Sequence, residues 1–195
     1  MARRGIELAE GALAGVPVEP ERLARLVRLL GYDERILLHL RRYRGPWRTR
    51  LARLLTRLGD GRSWAALALL LLATARAAPV HLALRLAAGA ALGAAAAQVL
   101  KRRLARVRPA VAIDGFQALA EDPDAFSFPS GHAATAFAVA VAVAGEPAHA
   151  GPLALCLASG IALSRVYLGA HYPLDVAAGS LLGSGVGLLA RLLVP

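Results

Sequence analysis

The chain has 195 residues, enough for one domain, and a formal net charge of +10 at pH 7. Hydrophobic residues make up 57% of it and aromatic residues only 5%, and the charge is crowded into residues 1–62 and 101–124. That segregation excludes an ordinary soluble globule and points to a polytopic membrane protein. The positive charge is not matched by a stripe of interleaved basic and aromatic residues, so no nucleic-acid partner is expected. Basic segments facing anionic lipid account for it, and membrane lipids are the expected surroundings.

Residues 1–20 lack a continuous apolar run, so no cleavable signal peptide is expected and insertion would proceed through internal spans. Residues 19–58 read as amphipathic helices. Leu23, Leu26, Val27 and Leu30 share one face; Trp47, Leu51, Leu54, Leu55 and Leu58 share another, opposite Arg48, Arg50, Arg53 and Arg57. Helices with so many arginines do not cross a bilayer. They either lie in the headgroup plane or pack on the domain itself, and the sequence leaves both open. Gly59-Asp60-Gly61 then breaks the pattern. This divides the chain into a basic interfacial region, 1–62, and a transmembrane domain, 63–195.

Five apolar segments follow, at 64–78, 80–100, 131–146, 151–168 and 174–194. The expected fold is all-α, a membrane bundle of about five transmembrane helices. The first and third segments are short for spans, which need roughly 17–25 residues. Pro79 separates the first pair, and Gly145-Glu146-Pro147 the third from the fourth. Gly179, Gly183 and Gly187 recur every four residues, as do Gly89 and Gly93; such ladders let membrane helices approach closely. The single cysteine, Cys156, reads as a core residue and excludes both a disulfide framework and a cysteine metal site. His39, His81 and His149 have no ligand spacing and read as surface or interfacial.

Three short segments at the edges of the apolar runs carry the chemistry. Lys101 and Arg108, seven residues apart, would face the same way on one helix that Pro109 ends. Arg102, Arg103 and Arg106 read as a positive-inside cluster. In Pro129-Ser130-Gly131-His132, a helix start offers unpaired amides to an anion. Gly131 removes the side chain that would block a phosphate, and His132 is placed to deliver a proton. In Ser164-Arg165 followed by His171 and Asp175, Arg165 ends one span, His171 lies in a turn and Pro173 opens the next helix. Asp175 is expected to reach back to His171, fix its tautomer and free the other nitrogen as a nucleophile; an acid in a helix's first turn also complements the dipole. If the five spans alternate, all three segments fall on one side of the membrane. Cations, two imidazoles and a carboxylate suit a phosphate ester, and the apolar flanks suit a lipid.

The pattern Lys101-x6-Arg108-Pro109, then Pro129-Ser130-Gly131-His132, then Ser164-Arg165-x5-His171-x3-Asp175 resembles that of the type 2 phosphatidic acid phosphatase superfamily at every fixed position. The resemblance covers residues 101–175 and leaves 1–62 outside. It implies a metal-independent, cofactor-free hydrolase acting on a lipid phosphate. His171 would attack phosphorus and form a phosphohistidine; His132 would protonate the leaving group and then serve as base. Lys101, Arg108, Arg165, Ser130 and the Gly131 amide would hold the phosphoryl oxygens. Candidate substrates are phosphatidylglycerophosphate, phosphatidic acid and polyprenyl phosphates or diphosphates. A phosphotransferase and a catalytically silent lipid-binding protein are the competing classes. Arg48, Arg50, Arg53, Arg57 and Arg62 precede the first span, which puts them, and the site two spans later, on the cytoplasmic face of the cell membrane.

Overall fold

The computed structural model describes residues 20–74, 78–120, 124–145 and 150–194, and these fold into eight helices. The arginine-rich region forms α1 (Pro20–Arg41) and α2 (Pro46–Leu58). The five apolar segments form α3 (Gly61–Ala73), α4 (Ala78–Leu104), α6 (Gly131–Ala142), α7 (Ala150–Tyr167) and α8 (Pro173–Leu193). A single turn, α5 (Pro109–Ala112), lies in the long connection between α4 and α6. Proline opens α2, α5 and α8 at a first-turn position, where a missing N–H leaves no bond unmade. Pro79 likewise lies inside the first turn of α4, so the break before that helix precedes it.

The most buried helix is α6. Ala133, Ala134, Thr135, Ala136, Ala138, Val139, Ala140 and Ala142 are all buried, and its neighbours meet it through glycine. A Cβ on Gly179 would come within 2.5 Å of the Ser130 carbonyl oxygen, and one on Gly187 within 2.6 Å of that of Ala138. A Cβ on Gly93 of α4 would stand 2.9 Å from the Ala138 Cβ. Both predicted glycine ladders therefore face α6, one from α4 and one from α8, and let backbones touch. With 12 residues α6 rises only about 18 Å, against a hydrocarbon core of about 30 Å. It is lined by protein rather than lipid. Within α4, Val80–Leu104, and in α8, Pro173–Leu193, the helix is long and apolar enough to cross a membrane; α3, α6 and α7 are shorter apolar helices.

The amphipathic helices pack on the bundle. Leu37 of α1 is buried with Val166, Tyr172 and Val176. On α2, Ala52 is buried and Leu55 lies against Gly160, while Trp47, Leu51, Leu54 and Leu58 remain exposed. Thus α2 has one face on the protein and an apolar face left outward. The side chains of Leu23, Leu26 and Val27, and His149, lie outside the described residues. Cys156 is exposed, not in the core: it sits on the outer side of α7, where an apolar residue faces the surroundings.

Candidate active site

The C-terminal ends of α4 and α7 and the N-terminal ends of α6 and α8 meet at one end of the bundle. Ser130, which precedes α6, donates its amide to the Asp175 carbonyl oxygen at 2.9 Å and so locks the starts of α6 and α8 together. A cavity of about 480 Å³ opens there. Lys101, Gly131, His132 and His171 all line it, with Asp60, Trp64 and Asp124. Space is open where a Gly131 side chain would stand, so an anion has access to the first amides of α6. Away from this end the wall becomes apolar, through Ala65, Ala68, Ala87, Ala91 and Ala94 of α3 and α4.

The connection after α4 departs from the expected continuous helix. Lys101 is in the last turn of α4, but Ala105 takes a left-handed φ of 45° and the helix stops at Leu104. Arg108 precedes α5 and Pro109 opens that turn instead of closing the helix of Lys101. The two cations nonetheless converge, on Asp124. Lys101 Nζ donates to Asp124 Oδ2 at 2.5 Å, and Arg108 binds both the Asp124 carboxylate and its carbonyl. Burial raises the Asp124 pKa, but the bonds from Lys101 and Arg108 outweigh it and leave the carboxyl below its ordinary range.

His171 is fully buried in the turn between α7 and α8. Its Nδ1 lies 2.7 Å from the Ser127 carbonyl oxygen. A carbonyl only accepts, so Nδ1 carries the proton and Nε2 keeps its lone pair. Ser127 is itself fixed by its N–H, which donates a hydrogen bond to the Arg106 carbonyl oxygen at 2.8 Å, beside the Val107–Phe126 bridge. The expected Asp175–His171 hydrogen bond is therefore replaced: Asp175 Oδ2 is 3.7 Å from Nδ1, close enough for charge but too long for a hydrogen bond. Arg108 Nη1 stands 3.5 Å from Nε2 and donates to the Ala170 carbonyl at 2.9 Å. Burial is the main reason the His171 pKa falls below its ordinary value. Arg165 and Arg108 push the same way, and Asp175 opposes them.

Asp175 turns instead to the start of its own helix and to Arg106. Its Oδ2 accepts the Tyr172 amide at 2.9 Å, and its Oδ1 accepts Arg106 Nη1 at 2.6 Å. Arg106 also binds Asp33 of α1 at 2.7 Å and lies 4.0 Å over the Tyr172 ring. Asp33 closes the network by accepting the Leu174 amide at 2.8 Å. Arg106, read from sequence as part of a positive-inside cluster, is thus a half-buried bridge between two buried carboxylates. Arg165 is buried and donates to Thr56 of α2. Ser130 is fully buried and caps α6 through Ala133 N. Neither Arg165, Ser130, Arg108 nor Asp175 forms part of the cavity wall in this structure.

The acids Asp33, Asp60 and Asp124 were not singled out as site residues. For Asp33 a signal existed: it falls on the apolar stripe Leu30, Leu37 and Leu40 at helical spacing, where an unpaired carboxylate would be costly. Asp60 and Asp124 lie in turns and carry no such mark.

Helix tips, the Lys101 ammonium and two imidazoles on one cavity, at one end of an apolar bundle, make up a candidate anion-binding site in a membrane helical protein. The chain belongs to the PAP2 superfamily, whose profile matches residues 82–195. It is 40% identical over 105 residues to a decaprenylphosphoryl-5-phosphoribose phosphatase of Mycobacterium tuberculosis, covering 52% of this chain and 55% of that protein. It is 37% identical over 94 residues to an undecaprenyl-diphosphatase of Sulfolobus acidocaldarius, covering 48% and 46%. The chain spans about half the length of these curated relatives. The fold is that of a transmembrane PAP2-type phosphatidylglycerolphosphate phosphatase from Bacillus subtilis, with a TM-score of 0.72, 24% identity, and coverage of 97% of this chain and 94% of that one.

Proposed function

We propose that the chain is a multi-pass membrane lipid phosphatase that hydrolyses a lipid phosphate ester through a phosphohistidine. The observation that carries this reading is the shared cavity: His132 and His171 face it together, with Lys101 and the open approach to Gly131. His171 Nε2 attacks phosphorus, the phosphorus–oxygen bond to the lipid breaks, and His132 supplies the proton that the leaving oxygen takes. Water then attacks the phosphohistidine with His132 as base, and phosphate leaves. Lys101 and the Gly131 amide, on the cavity wall, meet the phosphoryl oxygens; Arg108 and Arg165, buried close enough to act on His171, add positive charge, and Ser130 holds the start of α6. Catalysis of this kind is mostly positioning and charge stabilisation. Asp175 acts behind His171, favouring its charged phosphorylated state and fixing the start of α8.

The alanine wall between α3 and α4 suits an unbranched or isoprenoid chain, and both curated relatives bear polyprenyl names. A polyprenyl-linked phosphate is therefore the favoured substrate class. The decisive measurement is phosphate release from a panel of polyprenyl and glycerolipid phosphates, by wild type and H171Q. Wild type is expected to release phosphate with polyprenyl substrates preferred, in the presence of chelator as in its absence. H171Q is expected to be folded and inactive. Activity in H171Q would remove His171 as the nucleophile, and a loss of wild-type turnover in chelator would replace the cation-based mechanism with a metal-based one.

A further inference from the structure

Asp60 precedes α3, outside the residues that the family profile matches. An aspartate at this position normally accepts a bond from the amides of its own helix. Here its side chain makes no such cap. Its Oδ1 instead lies 2.9 Å from Nε2 of His132, 72 residues away, and Asp60 lines the same cavity. The turn that carries it is built to hold this contact. Trp64 Nε1 donates to the Gly59 carbonyl at 3.2 Å, and the Ser63 and Trp64 amides donate to the Asp60 carbonyl at 3.0 and 3.2 Å. A Cβ on Gly59 would stand 2.6 Å from Ile161 and 3.2 Å from the His132 ring, so only glycine lets the turn come this close. Thr56, one turn earlier, binds Arg165.

We propose that Asp60 is a positioning residue for the general acid: its carboxylate orients the His132 ring and stabilises the imidazolium. This rests on the phosphatase reading above. In the charged ring both nitrogens carry protons. Nε2–H is held on Asp60, and the other nitrogen gives its proton to the lipid oxygen as the phosphorus–oxygen bond breaks. The neutral ring then keeps Nε2–H on Asp60, in the tautomer whose unprotonated nitrogen accepts a proton from the attacking water. The two histidines thus have partners of different charge. His171 is buried and neutral against a backbone carbonyl, and His132 is half-buried against a carboxylate.

A leaving group that departs without a proton does not need this acid, and a merely structural defect does not discriminate between leaving groups. The test compares hexadecyl phosphate with the phosphate of a nitrophenol bearing the same hexadecyl chain, in the full-length protein in detergent. General acid catalysis contributes about 10²–10⁴-fold. D60N is expected to lower kcat/KM on the alkyl phosphate by about 10- to 100-fold, a part of that contribution. On the nitrophenyl phosphate it should change kcat/KM by less than about threefold, since little acid assistance is needed there. H132Q should show the same selectivity more strongly, and D60E should recover part of the alkyl phosphate activity. Equal losses on both substrates, or no loss on either, overturn the role given to Asp60 while leaving the phosphatase intact. A wild-type protein that turns over neither these two substrates nor any of the polyprenyl and glycerolipid phosphates removes the phosphatase reading and this inference with it.

Discussion

At the level of single residues, the site is an arrangement of charges around two carboxylates and two imidazoles. Arg106 is the cation for both Asp33 and Asp175, whose side chains are completely inaccessible to solvent. Burial raises the Asp33 pKa, and the bonds from the Leu174 amide and Arg106 only partly offset it. Replacing Arg106 with Met leaves two buried carboxylates facing each other without a cation. Loss of one partner of a buried ion pair costs about 3–5 kcal/mol. R106M is therefore expected to melt well below wild type at pH 7.5. The deficit should shrink toward pH 4–5, because Asp33, whose folded pKa is raised, takes up a proton there and relieves the repulsion. An unchanged melting temperature at pH 7.5 would show that the network contributes nothing to the fold. The pH dependence of catalysis follows the same reasoning with the opposite group. In the proposed mechanism His171 must be neutral to attack, and its pKa is held below the ordinary histidine value near ~6.5. As pH falls, activity should persist through ~6.5 and decline only below it. Measured kcat/KM from pH 4.5 to 9 checks this; an acid limb centred above the ordinary histidine value would contradict the buried, neutral nucleophile.

Among the helices, contact with α6 decides the geometry of the site. Gly179, Gly183 and Gly187 bring α8 against α6, and a Cβ on Gly183 would overlap the Ala134 carbonyl oxygen. That obstacle is backbone, which cannot rotate aside. G183A is expected to destabilise by about 1–3 kcal/mol, the usual cost of overpacking. It should also lower activity, since His132 and His171 ride on the starts of α6 and α8. A comparison with G185A isolates the effect, because Gly185 has open space on its outward side and should tolerate the methyl. If G183A and G185A melt alike, the close approach does not control packing. The glycine spacing was legible in the sequence because it repeats with the helix, and so were Lys101, Gly131, His132 and His171. Each stands at a helix end marked by proline, glycine or a change of polarity. Arg108 was misplaced because the stop after Leu104 depends on Ala105 adopting a left-handed φ that alanine seldom takes. The carboxylate partners were hidden for a different reason. Asp33 meets Arg106 and Asp60 meets His132 across more than 70 residues, and nothing in local propensity records a tertiary approach.

Over the whole molecule, a cluster of arginines and the site occupy one end, while Arg191, in the last turn of α8, and Arg85, bound to the Val194 carbonyl, lie at the other. The turn between α2 and α3 places Asp60 on the cavity, so Arg57 and Arg62, both exposed, flank the same end as the histidines. Exposed Arg102 and Arg103 at the end of α4 add to it. Orientation can then be argued without counting spans. Whichever helices cross the bilayer, the arginine-rich end and the proposed catalytic end are the same, and positive residues favour the cytoplasm. The outward apolar face of α2, with Trp47, Leu51, Leu54 and Leu58 among arginines, fits a helix seated at that headgroup surface while its inner face packs on α7. Two single cysteines in a C156S background separate the possibilities. Gln117 is exposed in the connection at the site end, and Thr74 is exposed at the far end of α3. With an impermeant maleimide on intact cells, T74C is expected to react and Q117C only after permeabilisation. The reverse pattern would put the site on the outer face. A phosphatase there would act on lipid phosphates exposed on the outer leaflet, and the arginine argument would fail for this chain.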